Sequence, residues 1–422
     1  MLLRLRAAAL AAGAVLALLG SGQATAQALT LTEAWRIAEE RNPALRSAAA
    51  AVHGAQGQLA ESRAPFWNNP EASLEGSRTR ISQADERYRG WTLGLSQTFE
   101  VAGQQRLRRG AAEAELATVQ AQVAEARAQL RAEVEERFVQ VLALQMRAEV
   151  ERETVALVAQ AESAMQKRLD AGETSRLERN LATVEAERAR NQLTQVEEQI
   201  IQSRAELASL LQLPPADLPE VAGELRRAAR YTLEELLQSS VRRHKLASLG
   251  KREEAARERL ALERASRYPD VTLGFTTGRD GPPGLRENVL GFAVSVPLPV
   301  FRRNDSGVGR AVTELTQAQI EKQSSERDIQ AAVRAQWLRV SQLESRTGRL
   351  RDSVARTLEE NQRLSRRAFE EGEIGALELV VVNRQLAELR RDVLEAETEL
   401  RLARIALERA AGWIEDTKGS GK

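Results

Sequence analysis

The chain of 422 residues has no cysteine and only two histidines. A disulfide framework and any thiolate metal site are therefore excluded. Its 61 Lys and Arg nearly balance its 60 Asp and Glu, so the basic excess of a nucleic-acid-binding protein is missing. Aromatic residues make up only 4%. Past the N-terminal region no stretch is apolar enough for a transmembrane helix. What is plentiful is Ala, Leu, Glu, Arg and Gln, the composition of long helices.

The first residues read as an export signal. Arg4 and Arg6 precede the apolar run AAALAAGAVLALL, and two small-x-small cleavage sites follow, Ala24-Thr25-Ala26 and Ala26-Gln27-Ala28. The run is too short to be a membrane anchor. Without cysteine, the mature N-terminus cannot be lipidated on that residue.

The remainder reads as one unit written twice. AGETSRLE at 171–178 returns as EGEIGALE at 371–378, PEASLEG at 70–76 as PDVTLGF at 269–275, and TLTE at 30–33 as TLEE at 232–235. Three landmarks in one order, each about 200 residues on, define an internal repeat. The Thr-x-x-Glu pairs have the spacing of capping boxes. This gives an export signal at 1–28, a first copy at 29–211, a Pro-rich linker at 212–230, a second copy at 231–413 and a polar tail at 414–422. Each copy is expected to hold a helix (31–64 and 233–267), two short strands, a very long helix (104–170 and 305–370) and a returning helix after Gly172 or Gly372. The long helices would each span roughly 100 Å. Leu116, Val119, Val123, Leu130, Val134, Phe138 and Val141 step by three, four or seven, as do Ile329, Val333, Trp337, Val340 and Leu343. That is the spacing of packed coiled-coil helices.

The strands are less ordinary. Trp91, Leu93, Leu95 and Phe99 alternate with Thr92, Gly94, Ser96 and Thr98, with Gln97 a polar exception on the apolar face. Leu290, Phe292, Val294, Val296 and Leu298 alternate with Gly291, Ala293, Ser295 and Pro297, and Val271, Leu273 and Phe275 with Asp270, Thr272, Gly274 and Thr276. A soluble sheet or a membrane barrel gives this pattern. The barrel is favoured because most aromatics cluster in or beside these segments and each is long enough to cross a bilayer when tilted. The segments 77–90 and 277–288 are also polar, as external loops would be. Four strands cannot close a barrel and lipid does not admit open edges, so several chains must combine. Two chains would give a barrel filled by side chains, and three a hollow one.

The stretch SVPLPVFRRN at 295–304 then marks a strand running almost directly into a helix. Pro297 and Pro299 end strand pairing, Arg302 and Arg303 reach lipid headgroups, and Asn304, Asp305 or Ser306 caps the helix. Gly103 and Arg106 do the same in the first copy.

Taken together these features resemble the TolC-like outer-membrane efflux family over the whole mature chain. The resemblance is carried by LTLTEAWRIAEERNPAL with its Asn42-Pro43 pair, by the repeat and by the two Gly-containing hairpin turns. SVPLPVFRRNDSGVGRA is similar to the junction of the CzcC-type, heavy-metal branch. Arg243-His244-Lys245 stands where a second Asn-Pro would, a departure from strict duplication. The resemblance implies a mainly α chain with a small β part. It would form a homotrimer with a twelve-stranded barrel and a periplasmic α-barrel, in the outer membrane of a Gram-negative bacterium. It further implies docking with a periplasmic adaptor and an inner-membrane pump of the resistance-nodulation-division class. The adaptor would dock at the turns bearing Gly172, Glu173, Gly372 and Glu373. Glu378, by family spacing, and Glu178 are candidates for carboxylate rings at a pore constriction, which would favour cations.

No catalytic constellation, cofactor motif or metal ligand set is found, and His53 and His244 read as solvated helix residues. Met146 and Met165 are too far apart in sequence for a thioether relay. Drug efflux and type I secretion stay open as alternatives, as does a periplasmic coiled-coil adaptor.

Overall fold

The computed structural model describes residues 28–81, 86–214, 219–227, 231–282 and 284–413. The expected export signal (apart from Ala28) and polar tail (414–422) lie outside them, with parts of the Pro-rich linker. The elements run α1 (Leu31–Arg41), α2 (Pro43–Ser62), β1 (Glu71–Ile81), β2 (Glu86–Phe99), α3 (Gln104–Asp170) and α4 (Arg176–Leu210). The same order follows with α5 (Leu233–Val241), α6 (His244–Ala265), β3 (Val271–Asp280), β4 (Glu287–Ser295), α7 (Asp305–Glu370) and α8 (Ala376–Ala411).

Two expectations are corrected. Each opening helix is broken rather than continuous. Between α1 and α2, the Asn42 side chain accepts from the amides of Ala44 and Leu45, and Pro43 occupies the first turn, where its missing N–H costs nothing. Between α5 and α6, Arg243 makes no side-chain cap. There the Glu125 carboxylate, from α3, accepts from the Lys245 amide at 3.2 Å and from the Arg243 guanidinium at 2.6 Å. The break is thus kept without a second Asn-Pro. The other correction concerns the polar segments expected as loops. Most of 77–90 is strand, and β3 and β4 likewise extend to Asp280 and from Glu287. Paired backbone there is decided by the register of the neighbouring strand, which local polarity does not report.

Of the capping boxes, Thr232 and Glu235 form the full reciprocal pair. At Thr30 the hydroxyl accepts from the Glu33 amide at 3.3 Å, while the Glu33 carboxylate turns to Arg36.

The chain folds as two compact units, each drawing on both halves of the sequence. Among the described residues, one takes those that fall within Met1–Glu40, Val134–Arg227 and Arg351–Thr398, the other those within Arg41–Glu133, Ala228–Leu350 and Glu399–Lys422. In the first, Ala148, Val196 and Ile200 form one apolar cluster, and Met165 with Ala182 another. Glu151, fully buried on α3, accepts from Arg391 of α8 at 2.7 and 2.5 Å, which satisfies a charge that burial would otherwise penalise. Here too Gln145 holds Val221 through both backbone groups, beside the bridge from Val221 to Leu29.

In the second unit, Leu236, Val333, Val340, Ala403, Leu407 and Ala411 form a buried core with Trp337 and Leu343 against it. The expected α7 stripe is therefore seen. On α3 the stripe is buried at Leu130, Val134, Phe138 and Val141. Nearer the start of α3, the innermost residues are instead Ala111, Ala114 and Thr118, with Leu116, Val119 and Val123 half-buried.

Candidate functional site

The sheet lies in the second unit. Its four strands are antiparallel in the order β1-β2-β3-β4. Register aligns Leu74, Leu93, Thr277 and Leu290 in one row, and Ala72, Leu95, Phe275 and Phe292 in the next. This face is apolar, yet Leu74, Leu290 and Phe292 are each more than 70% exposed. Gln97 interrupts it, but its amide donates to the carbonyls of Asn68 and Thr98, so it carries no unpaired donor.

The opposite face is lined by Ser73, Gly94, Thr276 and Gly291 in one row and by Glu75, Thr92, Gly278 and Val289 in another. A Cβ on Gly94 would fall 2.4 Å from the Ser73 hydroxyl, one on Gly291 2.6 Å from that of Thr276, and one on Gly278 2.5 Å from the Trp91 carbonyl. Hydroxyls and a backbone carbonyl crowd this side, whereas a Cβ on Gly76 of the apolar side would meet nothing, the packing of a sheet curled with its apolar face convex. The outer edges of β1 and β4 carry no partner strand among the described residues.

Both strand-to-helix junctions turn through a left-handed residue. Gly103 has φ +74° and Asn304 has φ +58°. Asparagine tolerates that region because its short amide bonds locally, and here it reaches the Glu263 backbone carbonyl at 3.0 Å. Of the three cap candidates, Asn304 is the one whose carbonyl starts α7, accepting from the Val308 amide at 3.0 Å. Pro297, Arg302 and Arg303 are exposed, and Pro299 is half-buried. A groove beside them is lined by Arg267, Tyr268, Leu298 and Phe301, the last 97% exposed. At the first junction Arg106 is exposed, and Arg108 forks onto Glu100 at 2.6 and 3.0 Å while stacking over Trp67.

The hairpin turns belong to the first unit. Gly172 (φ +77°) and Gly372 (φ +79°) each close a helix with a Schellman bond, from Glu173 to Arg168 and from Glu373 to Ala368, both 2.8 Å. The two acidic candidates differ after that. Glu178 completes a capping box with Ser175, and its carboxylate accepts from Thr174, the Ser175 amide and the Ser175 hydroxyl. The Thr174 hydroxyl first, and then Ser175, hold its carboxyl below the usual range. Glu378 has Gly375 in place of Ser175 and, among the described residues, accepts from the Gly375 amide alone, at 3.3 Å. Its exposed carboxylate is the less committed of the two.

Among the described residues no group of three or more His, Cys, Asp or Glu is placed to hold a metal ion. His53 and His244 are exposed, Met165 is buried and Met146 partly exposed. The cap supplied by Glu125 had no local signal in the sequence.

An exposed apolar sheet face, sheet edges unpaired among the described residues, and very long helices together define a class, and comparison identifies it. The family model for outer membrane efflux proteins matches residues 35–212 and 236–413, and the chain belongs to that family. It is a transport family, not a family of enzymes. The cobalt-zinc-cadmium resistance protein CzcC of Cupriavidus metallidurans is 27% identical over 86% of this chain and 85% of its own. The fold is also that of CusC, with TM-score 0.75 at 17% identity, over 90% of this chain and 91% of that one. VceC of Vibrio cholerae superposes with TM-score 0.73 at 19% identity, over 90% of this chain and 96% of that one.

Proposed function

We propose that the chain is the outer-membrane exit duct of a tripartite efflux system, passively conducting divalent heavy-metal cations out of a Gram-negative cell. The observation that carries this reading is the sheet, whose convex face is apolar and exposed and whose two edges are unpaired among the described residues. In lipid such edges must be satisfied by other chains. A homotrimer gives twelve strands and a barrel wide enough to stay open. The chain is read as two copies of one unit, in keeping with the family model's two matches. Its long helices form a periplasmic α-barrel, and the export signal sends it there. Gly172, Glu173, Gly372 and Glu373 form turns where a periplasmic adaptor docks, and the adaptor joins the duct to an inner-membrane pump of the resistance-nodulation-division class. Pro297, Pro299, Arg302, Arg303 and Gly103 carry the barrel wall into the helices at the inner membrane surface. The metal assignment rests on the relative named for cobalt, zinc and cadmium resistance.

Fractionation tests the location. The protein should be recovered with outer membranes, and release by osmotic shock would instead make it a soluble adaptor. Deleting the gene should sensitise cells to divalent cobalt, zinc or cadmium. Sensitivity confined to organic drugs would move the substrate, not the location. In the pore, three copies of Glu378 form the cation-selecting ring. Glu378→Gln should lower cation selectivity in planar bilayers while leaving conductance measurable, and an unchanged reversal potential would return Glu378 to the helix surface.

A further inference from the structure

We propose that the turn end of the sheet's convex face binds the phosphate groups of an outer-leaflet glycolipid. The proposal rests on the outer-membrane reading above. In register, Arg78 stands directly opposite Arg89, Arg80 opposite Arg87, and Trp91 opposite Arg279. Strand alternation puts all five arginines on the face that carries Leu74, Leu93 and Leu95. The acidic residues of the same segments, Glu75, Asp280 and Glu287, fall on the concave face. Arg78, Arg87, Arg89 and Arg279 are exposed, and no ion pair joins these four to a carboxylate among the described residues.

Like charges directly opposite each other on paired strands repel, and here two such pairs follow in succession. Nothing in the sheet's fold needs this arrangement, because polar uncharged residues would serve equally well beyond an apolar band. An anion from outside the chain would relieve the repulsion between Arg78 and Arg89. Guanidinium forks match phosphate oxygens two at a time, which Arg78, Arg87, Arg89 and Arg279 are free to do on this exposed face. The cluster directly adjoins the apolar rows, with Trp91 at the boundary as in an aromatic girdle. Its ligand therefore has an apolar body and a multiply anionic head. The cluster is at the end of the strands away from their junctions with α3 and α7, hence in the outer leaflet when those junctions face the periplasm. The outer-leaflet lipid with that chemistry is the glycolipid phosphorylated on its sugar headgroup.

The test uses the full-length oligomer, delipidated in mild detergent, with native mass spectrometry as the readout. The probes are diphosphoryl lipid A, monophosphoryl lipid A and phosphatidylglycerol. Diphosphoryl lipid A should bind about tenfold or more tighter than phosphatidylglycerol, with the monophosphoryl form between, and the double variant Arg78→Gln, Arg89→Gln should lose that margin. Thermal melting separates this from misfolding. Without lipid the double variant should melt higher than the parent, since a repulsion is gone, and with diphosphoryl lipid A the order should reverse. A folding defect lowers both. Equal binding of phosphatidylglycerol, or a double variant that binds lipid A unchanged, overturns the proposal. Liposome flotation separates the two readings. Protein that does not insert loses the membrane reading and this proposal together, whereas protein that inserts but does not prefer lipid A loses this proposal alone.

Discussion

Glu125 shows how much one side chain can hold. It receives the Arg243 guanidinium and the Lys245 amide, and Arg243 in turn donates to the carbonyl of Ala410 near the end of α8. Burial by itself would raise the Glu125 carboxyl, but Arg243, Gln129 and the Lys245 amide outweigh it and leave the group below its ordinary value of 4.5. A depressed carboxylate contributes stability above its unfolded value, and that contribution is lost as pH falls through the folded one. Glu125→Gln should therefore destabilise the protein by about 3 kcal/mol at pH 7, because Arg243 is left buried without its partner. The gap to the parent, read from denaturant titrations, should narrow as pH drops below the ordinary carboxylate range. The turn glycines act at the same scale. Gly372 sits at φ +79°, which proline, fixed near −65°, cannot adopt. Gly372→Pro should abolish resistance while the oligomer remains in the membrane, and a variant that still confers resistance would remove the turn from adaptor docking.

Among the elements, the sheet depends on its small face staying small. Gly94→Val would place methyl groups against Ser73, whose hydroxyl already lies 2.4 Å from the first added carbon. Such overpacking should cost about 1–3 kcal/mol and flatten the curl. Heat-modifiability on gels should fall for Gly94→Val and recover when Ser73→Gly is added, and failure to recover would mean the concavity is not what the glycine protects. This curl was legible only in part from sequence. The alternation of Leu93 and Leu95 with Gly94 and Ser96 gave the two faces, and the glycine turns at 172 and 372 gave the hairpins. The extent of β1 and β2 was not readable, since Arg78, Arg80, Arg87 and Arg89 look like loop until they are seen paired. Nor was the break before α6, because its cap comes from Glu125, more than a hundred residues earlier and carrying no helix-start signal of its own. Of the candidate site, the junction and turn residues were placed by spacing. The difference between Glu178 and Glu378 came down to Ser175 against Gly375, a contrast whose effect appears only with side-chain geometry.

At the scale of the whole molecule, the question is what satisfies the outer edges of β1 and β4. Within one chain four strands are too few to curl round and join them. In a trimer each β1 must pair with β4 of a neighbour, and the chain's lack of cysteine makes this directly measurable. Ser73→Cys on β1 can be combined in turn with Val289→Cys, Gly291→Cys or Ala293→Cys on β4, all on the concave face, since barrel shear shifts the register by an amount the single chain does not fix. Neighbouring Cβ atoms in an antiparallel pair lie about 4.5–5.5 Å apart, close enough for disulfide formation with small adjustment. At least one of the three pairs should give a ladder of one, two and three chains on oxidation in isolated outer membranes, and no band above three. Each single-cysteine parent should stay monomeric on denaturing gels, which controls for random collision. A ladder that stops at two chains would make the barrel eight-stranded and closed to passage, and oxidation confined within single chains would mean that β1 and β4 meet each other. Either result removes the hollow twelve-stranded duct, whatever the fate of the metal assignment.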